Sequence, residues 1–155
     1  MGMDVFGKAP THKLGEYFRS NVWYWHPLWR YCEELAPDII PRENLGHLND
    51  GWGLDARDAL ALACRLATEL EFGRTAQYEL DDRARRAAIP LDTCTICGGT
   101  GRRAEPPQIG PGHLHCNGCD GAGEVPNFAA NYVFSTEVVG NFALFLQYSG
   151  GFEIL

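Results

Sequence analysis

The sequence predicts a helix-rich α+β fold with short strands and an inserted four-cysteine zinc-knuckle hairpin. Three observations lead there. Apolar residues recur at helical spacing from Leu60 to Leu70. Short alternating pieces stand near both ends, Met3 to Phe6 and the closing Phe152-Glu153-Ile154-Leu155. Between two helical stretches, residues 90–126 carry four cysteines among glycines and prolines, with few large apolar side chains. A mixed core formed by 1–89 and 127–155 and interrupted by a metal-binding module at 90–126 accounts for all three.

The elements follow in order. Met3–Phe6 reads as a short strand, closed by the turn residues Gly7, Pro10 and Gly15. Residues 17–31 are crowded with aromatic side chains, and Pro27 suits the first turn of a helix running from Leu28 to Ala36 and stopped by Pro37. Pro37, Pro41, Gly46, Gly51 and Gly53 make 37–54 a loop. Asp55 is placed to cap the next helix, with Asp58 in the first turn where the dipole favours an acid. Its stripe is Leu60, Ala63, Cys64, Ala67 and Leu70, widened by Leu62 and Leu66, and the pattern runs on to Ala88, either unbroken or interrupted at Gly73. After Pro126, Asn127–Phe134 reads as extended. Ser135 or Thr136 caps a last helix with Val138, Phe142, Phe145 and Leu146 on one face. Gly150-Gly151 ends it where a left-handed residue is needed.

The 155 residues are enough to bury a core without disulfides. A charged fraction of 21% against 45% hydrophobic excludes wholesale disorder. The net charge of −7 argues against nonspecific nucleic-acid binding. No apolar run reaches the roughly 18–20 residues of a membrane helix. The start lacks a signal-peptide apolar region, and Phe6 stands where myristoylation needs Ser or Thr. With unpaired thiols suited to a reducing compartment, the expected location is the cytoplasm, or the host cytoplasm if the chain is phage-encoded.

The cysteines carry the chemistry. Cys94-Thr95-Ile96-Cys97 and Cys116-Asn117-Gly118-Cys119 stand 18 residues apart, a C-x2-C-x18-C-x2-C spacing that reads as a tetrahedral zinc site. Two intervening residues let both thiolates of a tight turn face one ion, and a second turn completes the shell. Gly99 and Gly101 follow the first pair at the offsets at which Gly121 and Gly123 follow the second, so both halves obey C-x-x-C-x-G-x-G. Glycine suits positions where the backbone turns beneath a metal with positive φ. Four thiolates leave no open position, which points to one structural zinc ion. His113 and His115 are alternative ligands, and a redox-active pair is the competing use of C-x-x-C.

The repeated C-x-x-C-x-G-x-G resembles half of the cysteine-rich zinc region of DnaJ-type co-chaperones, over residues 94–123. That family has four repeats and two zinc ions; two repeats here imply one. The resemblance makes Cys94, Cys97, Cys116 and Cys119 the ligands and the paired glycines the shapers of the knuckles. It stops there, since a J-domain needs His-Pro-Asp and this chain offers His26-Pro27-Leu28. More loosely, the chain is similar to small bacterial and phage proteins. They share its M-G-x-D-x-x-G-K start, its N-V-W-x-W-x-P-L-W stretch (Asn21–Trp29), its N-D-G-x-G-L-D loop (Asn49–Asp55) and its terminal S-G-G-F. That similarity implies no activity.

The weaker signals divide three ways. Cys32 and Cys64 read as core thiols. The loop at Asn49–Asp55 fails as a calcium loop, because Leu48 and Gly46 fall where oxygen ligands belong. The aromatic stretch 17–31 reads first as core packing; as its alternative use, Trp23, Trp25, Trp29 and Trp52, with Arg102 and Arg103, are the candidates for contact with a protein partner. The leading expectation is therefore a zinc-stabilised protein-interaction module, with an inhibitor or adaptor acting on a host protein complex as its concrete version. An enzyme with its site near His47, Asp50 and Asp55 is the second expectation, and a nucleic-acid-binding zinc protein using Arg102 and Arg103 the third.

Overall fold

The computed structural model describes residues 2–155. It is a mixed α+β fold of helices and short antiparallel strands, divided into two compact units. One comprises the chain up to Ala84 together with Tyr132–Leu155; the other is Arg85–Asn131. The second is wider than the cysteine-rich stretch 90–126, taking in the last turn of the preceding helix and a short 3-10 turn.

In the first unit, β1 (Gly2–Gly7) pairs antiparallel with β2 (Tyr17–Asn21) on one side and with β7 (Phe152–Ile154) on the other. Val5 stands opposite both Phe18 and Ile154. Alternation sends Met3 and Val5 inward from β1, and Phe152 and Ile154 from β7. The outer side of β7 is covered by the loop before the second helix. Phe152 N–H donates to Leu54 O (3.0 Å), Ile154 N–H to Trp52 O (2.9 Å), and Gly51 N–H to Ile154 O (2.8 Å).

Helix α1 spans Val22–Leu35 and begins five residues before Pro27, which the sequence places in the first turn. Asn21 caps it, its side chain accepting from Tyr24 N–H at 3.2 Å, so Pro27 lies inside the helix rather than in its first turn. A proline there removes the donor that would reach Trp23 O. The amide of Val133 supplies the missing hydrogen bond at 2.9 Å. The inward face is Trp25, Leu28, Trp29 and Cys32, an i, i+3, i+4, i+7 set.

Helix α2 (Ala56–Glu71) is capped by Asp55, which accepts from Asp58 N–H at 2.9 Å. Its buried face is Ala59, Leu62, Ala63 and Leu66. Leu62 and Leu66 therefore lie at the centre of the stripe. Leu60 is 48% exposed, and Cys64 lies outside the core in an apolar groove with Ala67, Gly140 and Leu144. Apolar residues cover more than half of this helix, so spacing alone does not fix which stripe turns inward.

Gly73, at φ +69°, separates α2 from α3 (Arg74–Ala87). This polar helix caps another one. Its Glu79 and Asp82 carboxylates accept from Thr136 N–H (2.9 Å) and Phe134 N–H (3.2 Å) at the start of α4 (Thr136–Ser149). Ser135 is the N-cap residue, and Gly150 ends α4 at φ +62°. The segment predicted as extended, Asn127–Phe134, instead makes a 3-10 turn at Phe128–Asn131. The Asn127 side chain accepts from Ala129 N–H at 2.9 Å, a local bond that competes with strand geometry.

The core of the first unit is aromatic. Trp25 and Trp29 stack with centroids 5.5 Å apart, and Phe142 meets Trp25 edge-on at 5.5 Å. Phe145 and Phe152 complete the cluster. Both buried indoles have partners: Trp25 donates to Gly46 O and Trp29 to Asn44 Oδ1, each at 2.8 Å. Gly46 runs so close to the Trp29 ring that a Cβ would sit 2.2 Å from it.

Candidate metal centre

The second unit has almost no apolar core; Val125 is the partly buried hydrophobic residue packed against its cysteines. Four two-residue strands frame the cysteines: β3 (Asp92–Thr93) pairs with β6 (Glu124–Val125), and β4 (Arg102–Arg103) with β5 (Leu114–His115). The two C-x-x-C turns sit on these strands in equivalent ways. Cys94 N–H donates to Gly123 O at 2.9 Å, and Cys116 N–H donates to Gly101 O at 3.0 Å. Each knuckle is thus closed by the backbone of the other.

The glycine repeat explains how they fit. Gly99 and Gly101 have φ of +87° and +72°; Gly121 and Gly123 have +79° and +82°. A Cβ on Gly101 would lie 2.2 Å from Gly121 O, and one on Gly123 would lie 2.3 Å from Gly99 O. The position after the second cysteine of each pair is also left-handed, Gly98 at +63° and Asp120 at +48°. Asp120 is a residue type that tolerates this region. This third equivalence is hidden in the sequence, because the two residues differ.

The four sulfurs lie within 4.8 Å of one another. Cys94 Sγ and Cys116 Sγ are 3.9 Å apart, and Cys97 Sγ and Cys119 Sγ 3.7 Å apart. Zinc–sulfur bonds of about 2.3 Å set a tetrahedral S···S edge of about 3.8 Å, so the donor set fits one zinc ion. Cys94, Cys97 and Cys116 are buried and Cys119 half-buried. Backbone amides aim at the sulfurs, with Gly123 N–H 3.1 Å from Cys119 Sγ. Around Cys97, burial raises the thiol, while the amides of Gly101 and Gly99 together with the neighbouring Cys119 and Cys94 thiols lower it, to about 7. Amides that favour thiolate also favour metal ligation.

His113 and His115 stand outside this set. His115 Nε2 lies 3.0 Å from Asp120 Oδ1, and His113 Nε2 lies 3.8 Å from Glu105. Arg102 is exposed and Arg103 half-buried on β4.

The other candidate residues disperse. Trp25 and Trp29 are fully buried and cannot meet a partner, which corrects their place among contact residues; their aromatic area serves the core. Trp23 is half-buried against Tyr132 and Trp52 half-buried against Trp29. His47, Asp50 and Asp55 do not form one site. His47 is engaged by His26 and Glu33, Asp50 is exposed, and Asp55 is spent on capping α2. The cleft beside Asp55 is lined by Pro37, Asp38, Trp52 and Asp58 without His47. Cys32 is buried in the core, and burial pushes its thiol well up, whereas Cys64 is exposed and so is not the core thiol its spacing suggested. Among the described residues, no helix is long and apolar enough to cross a membrane.

Fold and centre together define a mixed α+β chain carrying a four-cysteine, zinc-type site. In comparisons with family models, curated proteins and solved structures, nothing matches this chain.

Proposed function

We propose that the chain is a zinc-stabilised protein-interaction module in which Cys94, Cys97, Cys116 and Cys119 hold one structural zinc ion. The observation that carries this reading is the closed set of four sulfurs, with edges of 3.7 and 3.9 Å in a unit lacking an apolar core. A shell of four thiolates leaves no position for substrate, and ligation of this kind supplies roughly 10–16 kcal/mol to local folding. The C-x-x-C-x-G-x-G resemblance to the DnaJ-type region supports the same assignment.

The function of so ordered a module is to present a surface, with Arg102 and Arg103 on β4 as its cationic contact residues. An inhibitor or adaptor acting on a host protein complex is the concrete form we propose, in keeping with the net charge of −7. Metal analysis tests the first half: one zinc per chain is expected, and a Cys94→Ser variant that retains full zinc overturns the ligand set. For the second half, tagged wild-type protein and an Arg102→Glu/Arg103→Glu variant are compared in host lysate. A stoichiometric protein held by the first and lost by the second supports the reading, and recovery of none refutes it.

A further inference from the structure

His26 and His47 meet ring to ring in the first unit. His26 Nδ1 lies 2.8 Å from His47 Nδ1, with ring centroids 5.0 Å apart. His26 comes from α1 and His47 from the loop before α2, and both are half-buried. The far side of His47 is held, its Nε2 lying 3.2 Å from Glu33 Oε2. Glu33 is held in turn, its Oε1 accepting from Asn44 Nδ2 at 2.7 Å. Asn44 is fixed by Trp29 Nε1 and Gly46 N–H on its oxygen and by Pro41 O on its amide.

This chain of bonds sets the proton positions. A carboxylate only accepts, so Nε2 of His47 carries a hydrogen, and in the neutral ring Nδ1 then turns a lone pair toward His26. A single hydrogen, on His26 Nδ1, closes the contact. Replacing that hydrogen by a cation leaves two imidazole lone pairs converging on one point. An imidazole whose outer N–H rests on a carboxylate is also how proteins orient a metal-ligating histidine.

We propose that His26 Nδ1 and His47 Nδ1 form a second, solvent-open binding site for a late first-row divalent cation, with Glu33 as the positioning residue for His47. Imidazole nitrogens favour zinc, nickel and copper. Metal–nitrogen bonds of about 2.0–2.1 Å require the two nitrogens to part by about 0.5 Å, a small ring rotation for half-buried side chains. Among the described residues only the four cysteines gather three or more donor atoms. The histidine pair therefore takes a cation whose shell is completed by water, which makes this ion more weakly held and more exchangeable than the one at the thiolates. The site lies outside the second unit and stands whether or not the cysteine centre is structural.

The test uses the full chain with its cysteine centre loaded with zinc. Nickel(II) chloride and zinc chloride are titrated while histidine ring nitrogens are followed by long-range 1H–15N NMR and binding by calorimetry. One additional equivalent is expected, with Nδ1 of both His26 and His47 shifting. Glu33→Gln is expected to weaken it by about 10–100-fold, and His26→Gln to abolish it while the first zinc is retained. Unshifted Nδ1 resonances in the native chain overturn the proposal, a readout that depends on no variant. An additional equivalent of undiminished affinity in folded His26→Gln overturns it too.

Discussion

The carbonyl of Trp23 accepts from the amide of Val133 at 2.9 Å and so fills the place that Pro27 leaves empty within α1. A proline inside a helix ordinarily costs about 3 kcal/mol, in part through the lost hydrogen bond. Here a distant strand of chain supplies that bond, tying α1 to the segment that leads into α4.

A double-mutant cycle measures this tie. Val133→Pro removes the amide and is expected to destabilise the chain by about 1–3 kcal/mol. Pro27→Ala restores an internal donor to the same carbonyl, so the second substitution should recover part of the loss. Denaturant unfolding of the four chains reads the coupling; strictly additive effects would show that the bond is incidental.

The knuckle glycines should separate by contact rather than by dihedral. Gly98 and Gly101 have φ of +63° and +72°, but a Cβ on Gly98 meets nothing closer than 3.7 Å whereas one on Gly101 meets Gly121 O at 2.2 Å. Gly98→Ala is expected to cost roughly 1–2 kcal/mol and keep its zinc. Gly101→Ala should release zinc to a chromophoric chelator far faster. Equal release from the two variants would mean that the close approach of the knuckles does not matter.

His26 links stability to pH. Burial first, then the nearby charges of His47 and Arg30, hold its imidazole below the ordinary 6.5. Glu33 lies behind His47 and the Tyr132 ring beside His26. The unfolded chain therefore binds this proton at a higher pH than the folded one, so stability is full above about 6.5 and declines as pH falls below it. Chemical unfolding of the zinc-loaded protein in buffer without added metal, at pH 7.5 and in steps below 6.5, should show that decline. His26→Gln should flatten it; an unchanged slope would assign the effect to other groups.

Thiol reactivity distinguishes the two cysteines outside the centre. Cys64 is exposed, and Cys32 is buried with its thiol pushed up by that burial. With zinc bound, an aromatic disulfide reagent should titrate one thiol per chain quickly, and Cys64→Ser should remove that phase. Any fast thiol remaining in the Cys64→Ser chain would show that the core or the centre opens.

The cysteine turns were legible because their chemistry is written locally: two residues between thiolates and glycine at two fixed offsets suffice. The first and last strands and the last helix were legible for a similar reason, since Val5, Ile154 and Phe142 sit at periodic positions beside turn residues. The start of α1 was not. Pro27 carries a strong first-turn preference, and only the fold supplies the Val133 amide that lets the helix begin at Val22 instead. Nor does helical spacing choose between Leu62 and Leu60 when both stripes are apolar. His26 and Glu33 were out of reach as companions of His47, because 21 and 14 residues of chain separate them from it and only tertiary folding brings the rings together.

The reciprocal closure of the two knuckles bears on where such a module comes from. Each half, from its leading strand through its two cysteines to its last glycine and trailing strand, offers its twin the hydrogen bonds and the hollow that it needs itself. A free peptide of residues 112–126 therefore holds half of a metal site and the surface that fits a second copy. Two such peptides around one zinc ion would reproduce the architecture without the connecting chain. The module has the form of a metal-bridged homodimer fused into one polypeptide, as tandem duplication of a short ancestral segment would leave it.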